Sequence, residues 1–360
     1  MKPEPTTKRP GRRLTRRKKL LFALVPLIVL MVVGEILARG YRARQGYSPF
    51  MSGSYRDLRI DLIRRGYPAA HDPLLGYVPR PGFASDDNQW HAMVTIDEHC
   101  IRQNGGPRPT GDRVVLAVGD SFTFGDGVGD GDTWPARLEH RLGRPVINAG
   151  VFGYGMSQIV LRAEQLLATL PVERVVLSFI PDDLNRCELS RRFTPVPWYS
   201  LDAAGELVLQ GVPVPDTAHD NAMDSQWLRR ALGYSALIDM AFWNTVPNWW
   251  VSERREVREH PRGTGTVIGK KLMERLARAC DARGVKWMVV LQGYWLKPGA
   301  VEVLQHAAGL GAETLDLSVR FAELHAKDDS LRRRFFPGHM SAVGNDWVAG
   351  EIAAALERKH

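Results

Sequence analysis

Val114-Val115-Leu116-Ala117-Val118-Gly119-Asp120-Ser121-Phe122-Thr123-Phe124-Gly125 is the stretch that decides the fold. Its first five residues are apolar without a break and read as a strand buried on both faces, as in a parallel sheet covered by helices. The strand stops at Gly119, and Ser121 follows at its carboxyl edge, where open α/β folds bind their ligands. Glycines on either side let the backbone turn sharply and bring N–H groups close to a reacting oxygen.

From residue 111 onward the pattern repeats, with short β-rich apolar runs separated by amphipathic stretches. Strands are predicted at 113–118, 145–149, 174–180, 286–291 and 313–317, and helices at 134–142, 157–170, 267–283, 301–308 and 341–356. Residues from about 186 to 262 interrupt the alternation as an insertion holding five of the ten tryptophans: Trp198, Trp227, Trp243, Trp249 and Trp250. That composition fits a small hydrophobic core, or a surface resting on a membrane, better than a platform for stacking a sugar or acyl group. Residues 39–110 carry turn signals at Pro73, Gly76, Pro79–Gly82 and Gly105-Gly106-Pro107 and read as a juxtamembrane extension lying against the main domain.

Three further stretches carry chemistry. Val146-Ile147-Asn148-Ala149-Gly150-Val151-Phe152-Gly153-Tyr154-Gly155 runs a strand into a Gly-rich turn before a helix, and amides so placed are natural donors to a developing oxyanion. Phe179-Ile180-Pro181-Asp182-Asp183-Leu184-Asn185 sets two carboxylates and an amide after the third strand. Phe335-Phe336-Pro337-Gly338-His339-Met340-Ser341 brings a histidine to the start of the last helix.

In order and spacing these stretches resemble the blocks of the SGNH/GDSL hydrolases over about residues 111–358. The resemblance implies a flavodoxin-like three-layer α/β/α parallel sheet. It implies Ser121 as nucleophile and His339 as general base, with the N–H groups of Ser121 and Gly153 forming the oxyanion hole. Two blocks depart from the family pattern. Asp182 stands where the family has an Asn whose amide completes the hole, and a carboxylate donates only when protonated. Asn185, one turn on, is the alternative donor, and Asp182 or Asp183 the alternative partner of the histidine. Phe336 and Pro337 stand where an acid should precede His339, so no sequence neighbour orients the ring. Upstream, Asp72–Gly82 and Val94–Arg102 look like the leader of membrane-anchored members. Gly125–Asp132 has three aspartates without calcium-loop spacing and reads as a flexible turn at the site.

The net charge of +8 raises the question of nucleic acid, but the excess is local. Residues 1–19 hold nine of the 48 Lys and Arg and one of the 40 Asp and Glu, so residues 20–360 carry 39 of each. The excess is a tail, and no nucleic-acid partner is expected. The tail abuts Leu20–Ala38, broken only by Gly34 and Glu35, which as a helix is about 28 Å long, close to the hydrocarbon thickness of a bilayer. Cations before the span favour a cytoplasmic N-terminus with the main domain outside. Ile36-Leu37-Ala38-Arg39 offers no small-x-small cleavage site, so the span reads as an uncleaved anchor. Three cysteines allow one disulfide at most. No Cys/His cluster has zinc spacing and Gly263–Lys271 fails the P-loop pattern, so neither metal nor cofactor is expected.

The resulting reading is a single-pass, extracytoplasmic serine esterase or O-acyltransferase of SGNH type, acting on acyl or acetyl esters, cell-envelope polysaccharide among them. Water as acceptor makes an esterase and a sugar hydroxyl a transferase. The alternative is a degenerate, non-catalytic envelope protein that binds glycan or a protein partner through the old cleft. For topology, a periplasm-active reporter fused after His360 is expected to give signal and a cytoplasm-active one none; the opposite pair of results overturns the orientation.

Overall fold

Five apolar runs form one sheet: β1 (Val114–Val118), β2 (Val146–Asn148), β3 (Val172–Phe179), β4 (Lys286–Leu291) and β5 (Glu313–Asp316). The structure is a computed structural model describing residues 15–44, 53–58, 67–88, 90–107, 109–192, 194–216, 227–251, 256–295 and 297–358. Residues 1–14 of the basic tail, and 217–226 and 252–255 of the insertion, lie outside the described residues. The chain divides into a larger unit, residues 62–221 with 253–360, and a smaller one, residues 1–61 with 222–252.

In the larger unit every strand pair of the sheet is parallel, in the order β5-β4-β3-β1-β2. After β1 the chain adds β2 on one side and then crosses to add β3 on the other. This flavodoxin-like order leaves a crevice beyond the carboxyl ends of β1 and β3, where the direction of winding reverses.

Seven helices flank the sheet or its edge: α1 (Trp134–Leu142), α2 (Met156–Thr169), α3 (Pro181–Arg186), α4 (Thr264–Asp281), α5 (Pro298–Gly309), α6 (Leu317–His325) and α7 (Ala342–Glu357). Successive strand residues face opposite sides. Leu116, Val118, Val175, Leu177 and Val289 join the core that α2, α4 and α5 supply through Ile159, Leu272 and Val303. Val115, Ala117, Val176, Met288 and Val290 join the one that α1, α6 and α7 supply through Leu138, Phe321 and Ile352. Three layers result, and both covered faces explain why the strands are apolar without alternation.

Neither α3 nor α6 is expected from the sequence pattern. The six residues of α3 are largely polar, and α6 begins directly where β5 ends, at Asp316 rather than Leu317. The Asp316 side chain accepts from the N–H groups of Ser318 and Val319 and starts the helix there. The extension does structural work: Arg102 N donates to Asn148 O (3.2 Å) and Asn104 Nδ2 to Val146 O (2.8 Å), covering the free edge of β2. Of the insertion's tryptophans, Trp198 lies in a hairpin of the larger unit, and the other four belong to the smaller.

The smaller unit holds the helix Arg16–Arg44, with Pro26 inside it, and a buried cluster of Ala38, Tyr55 and Ala236. Among the described residues it is the one helix long and apolar enough to cross a membrane.

Gly150 shows how closely the β1 and β2 turns meet in the larger unit. A Cβ there would lie 2.3 Å from Phe124 N and 2.6 Å from the carbonyl carbon of Thr123, both backbone atoms that cannot step aside. Gly150→Ala is therefore expected to cost at least ~1–3 kcal/mol. Thermal unfolding monitored by circular dichroism checks it; an unchanged midpoint would mean that the two turns are not in contact.

Candidate active site

Ser121 opens a one-turn helix, Ser121–Phe124, directly beyond β1. Asp120 caps it, accepting from Phe122 N (2.9 Å), and Ser121 Oγ lies 3.4 Å from the other oxygen of the same carboxylate. Ser121 is 5 % exposed, so a reagent must enter the crevice to meet it. The loop returns at once, since the N–H groups of Gly125 and Asp126 both donate to Ser121 O (2.9 and 3.0 Å).

That return buries the Asp126 carboxylate completely. Neither of its oxygens has a hydrogen-bond partner among the described residues, and one lies 3.7 Å from His339 Nε2. Burial pushes Asp126 well above the usual carboxylate range, against the pull of Arg102. Burial likewise lowers the His339 imidazole below its ordinary value, opposed by the Asp120 carboxylate. His339 stands just before α7, its ring beside Phe122 with centroids 5.9 Å apart. No hydrogen bond joins Ser121 to His339 among the described residues; the histidine's nearest acid is Asp126, from the nucleophile's own loop.

The third block resolves into two carboxylates in different surroundings. Asp182 is half-exposed and accepts from Lys297 Nζ (2.9 Å) and Asn185 Nδ2 (3.3 Å), and none of its bonds reaches Ser121 or His339. Burial raises its pKa, but the Lys297 hydrogen bond and charge, joined by the charges of Arg186 and Arg192, outweigh it and hold Asp182 below the usual carboxylate range. Asn185 is exposed, and its amide is engaged by Asp182. Asp183 is fully buried, accepts from Ile180 N (2.9 Å) and pairs with Arg186 Nη1 (2.6 Å). That same nitrogen reaches Asp120 Oδ2 (3.3 Å) and Tyr154 O (2.7 Å). Burial, together with the nearby Asp120 charge, pushes Asp183 well up while Arg186 pulls it down. Arg186 thereby ties α3 to the residue before the serine.

Gly153 lies in the turn after β2 with φ +74°, and its carbonyl accepts from Arg192 Nη1 (3.1 Å). Neither the Gly153 nor the Ser121 N–H donates a hydrogen bond among the described residues. Tyr77, from the extension, clamps this turn by donating to Phe152 O (2.9 Å). A cavity of about 380 Å³ lies alongside, lined among others by Asp182, Asn185, Arg186 and Arg192. A smaller one of about 280 Å³, by Arg113, Pro171 and Val285, is at the other ends of the strands and touches no candidate residue. The three thiols are unpaired, and no group of three or more metal-ligating side chains occurs among the described residues. Sequence reasoning missed Asp126 and Arg186; nothing local marks the first, since Asp130 too lies between two glycines.

No family model matches the sequence, and no curated protein is found similar to it. Solved structures similar to the chain include a protein assigned to the lipolytic G-D-S-L family from Desulfitobacterium hafniense DCB-2, with 13% identity and a TM-score of 0.37 over 67% of this chain and 98% of that one. An acetyl xylan esterase from Geobacillus stearothermophilus matches with 13% identity and a TM-score of 0.39 over 69% and 95%. A family 3 carbohydrate esterase from Clostridium thermocellum matches with 16% identity and a TM-score of 0.29 over 67% and 94%. Values this low carry no residue's role across to this chain.

The two neighbouring aspartates of α3 predict opposite responses to truncation. Asp182→Ala removes a solvent-screened pair and should change stability by under ~1 kcal/mol. Asp183→Ala takes one partner from the largely buried Arg186 guanidinium and leaves the Ile180 N–H without its acceptor, and should cost ~2–5 kcal/mol. Denaturant unfolding of both variants checks this; equal losses would contradict the environments described.

Proposed function

We propose that this chain is a serine-dependent hydrolase of acyl or acetyl esters, anchored in the membrane by its N-terminal helix. The observation that carries the reading is the pairing of His339 with buried Asp126 at the sheet edge that carries Ser121. A crevice at the switch point of a parallel sheet is where such chemistry is done in this architecture. The resemblance of the Ser121, Gly153 and His339 stretches to the SGNH blocks supports the same assignment.

In the proposed reaction His339 takes the proton of Ser121 as Oγ attacks the ester carbonyl, forming a tetrahedral intermediate. The alcohol then leaves with the proton from His339, and an acyl-enzyme remains. The Ser121 and Gly153 N–H groups hold the oxyanion. Burial disfavours the Asp126 carboxylate, so Asp126 stabilises the imidazolium, 3.7 Å away, only when the charge forming on the ring draws it into its ionised form. Transfer of the acyl group to water completes hydrolysis, and transfer to a sugar hydroxyl would acylate a cell-envelope glycan. A degenerate binding protein has less in its favour, because it leaves His339 and Asp126, brought together from positions 339 and 126, without a role.

A fluorophosphonate probe tests the reading. The purified protein should be labelled, and Ser121→Ala should abolish labelling. His339→Ala and Asp126→Asn should each slow it by ~10³-fold or more while the circular dichroism spectrum is kept. Because a base works in its neutral form and burial lowers His339, labelling should rise with pH through an inflection below 6.5 and level off above it. Wild-type protein that is folded but unlabelled refutes the serine-hydrolase assignment; normal labelling of Asp126→Asn removes Asp126 from it.

A further inference from the structure

Three of the four charged side chains on the outer half of the N-terminal helix, Glu35, Arg39 and Arg42, are engaged within the smaller unit. Glu35, Arg39 and Arg42 are spaced i, i+4, i+7 and share one helix face. The Glu35 carboxylate accepts from Ser235 Oγ (2.6 Å), Ala236 N (3.0 Å) and Leu237 N (3.1 Å), satisfying the first N–H groups of the helix Ala236–Thr245. Arg39 Nη2 donates to Tyr234 O (3.1 Å). Arg42 Nη2 donates to Asp239, whose other oxygen accepts from Trp250 Nε1 (2.9 Å). At Gly34 a Cβ would lie 3.0 Å from Leu237 Cδ2, so the glycine admits the second helix. The two interruptions of the apolar run, Gly34 and Glu35, are where residues 227–251 dock.

Within this docked segment the helix Ala236–Thr245 lacks the charge that a surface helix normally shows to water, although Arg229 and Arg230 precede it. Asp239 is the one charged residue of Ala236–Thr245, and it is buried against Arg42 and Trp250. Around it Trp227 is 72 % and Trp249 47 % exposed, with Tyr234 and Val246 also exposed. The segment docks along Gly34–Arg42, with Leu237 against Gly34 and Asp239 against Arg42, at one end of an apolar window that is wholly exposed from Phe22 to Leu30 and beyond. Trp and Tyr at the end of a span are the residues that collect at a bilayer boundary.

We propose that residues 227–251 form a collar seated in the outer headgroup zone of the bilayer, with Trp227 and Trp249 at the membrane–water boundary. This rests on the reading of Arg16–Arg44 as a membrane-crossing helix. The occupant is a lipid surface, because the patch continues the helix's own exposed apolar surface. In addition, Arg229 lies over the Trp249 ring (5.2 Å), setting a cation where phosphate headgroups would meet it.

The test uses the full-length chain in phosphatidylcholine–phosphatidylglycerol vesicles, with nitroxide labels on Val246→Cys, Trp249→Cys, Leu30→Cys and Val208→Cys in a Cys100→Ser background. Cys187 and Cys280 are buried and stay unlabelled. Oxygen is expected to relax labels 246, 249 and 30 more strongly than a water-soluble nickel chelate does, with the order reversed at 208. If label 30 favours oxygen while 246 and 249 favour nickel, the anchor stands and the collar is refuted. If 30 also favours nickel, the anchor reading fails and the collar with it. Exclusion of both relaxants at 246 and 249, with spin–spin broadening between chains, means that a second copy occupies the patch, and this too overturns the proposal.

Discussion

Arg102 reaches the larger unit's sheet from the extension, its backbone paired to the edge of β2 and its guanidinium enclosed. It donates to the carbonyls of Phe124 (2.7 Å), Gly125 (2.8 Å) and Val128 (2.7 Å) and to Asp130 (3.2 Å), and stacks over the Phe124 ring. These acceptors all belong to the loop that carries Asp126. Left without donors, three buried carbonyls would each cost about 1–3 kcal/mol, enough to open the loop to water. The five N–H donors of an arginine, held in a fixed fork, meet all four acceptors at once, where a lysine ammonium has three donors. The position of the candidate acid is thus set by a residue outside the sheet, 24 positions earlier in the chain.

This dependence explains what the sequence disclosed and what it did not. The five strands and the long helices were legible because burial on both faces, or on one helix stripe, writes a local period into the chain. The turns that carry Ser121 and Gly153 were legible for a related reason: each joins a strand to a helix and its position follows from that period, whereas His339 lies between the short helix Leu331–Phe335 and α7. Asp126 was not legible. Its partner lies more than two hundred residues away, and nothing local distinguishes it from Asp130 or Asp132, of which one pairs with Arg102 and the other with Arg137. Asp182 shows the converse. Alignment by block placed it beside the nucleophile, but the N1–N2 start of α3 turns its side chain towards Lys297, while Asp183 faces inwards at N3 to accept from Ile180 N.

In the smaller unit the same physics acts on the N-terminal helix. Glu35 looks like a flaw in an apolar span when read along the sequence, because an unpaired carboxylate in hydrocarbon is expensive. Its four hydrogen bonds come from Arg39 and from residues 235–237, two hundred positions on. A helix whose side chain caps another helix of the mature chain is part of the fold, and this favours a retained anchor over a cleaved leader.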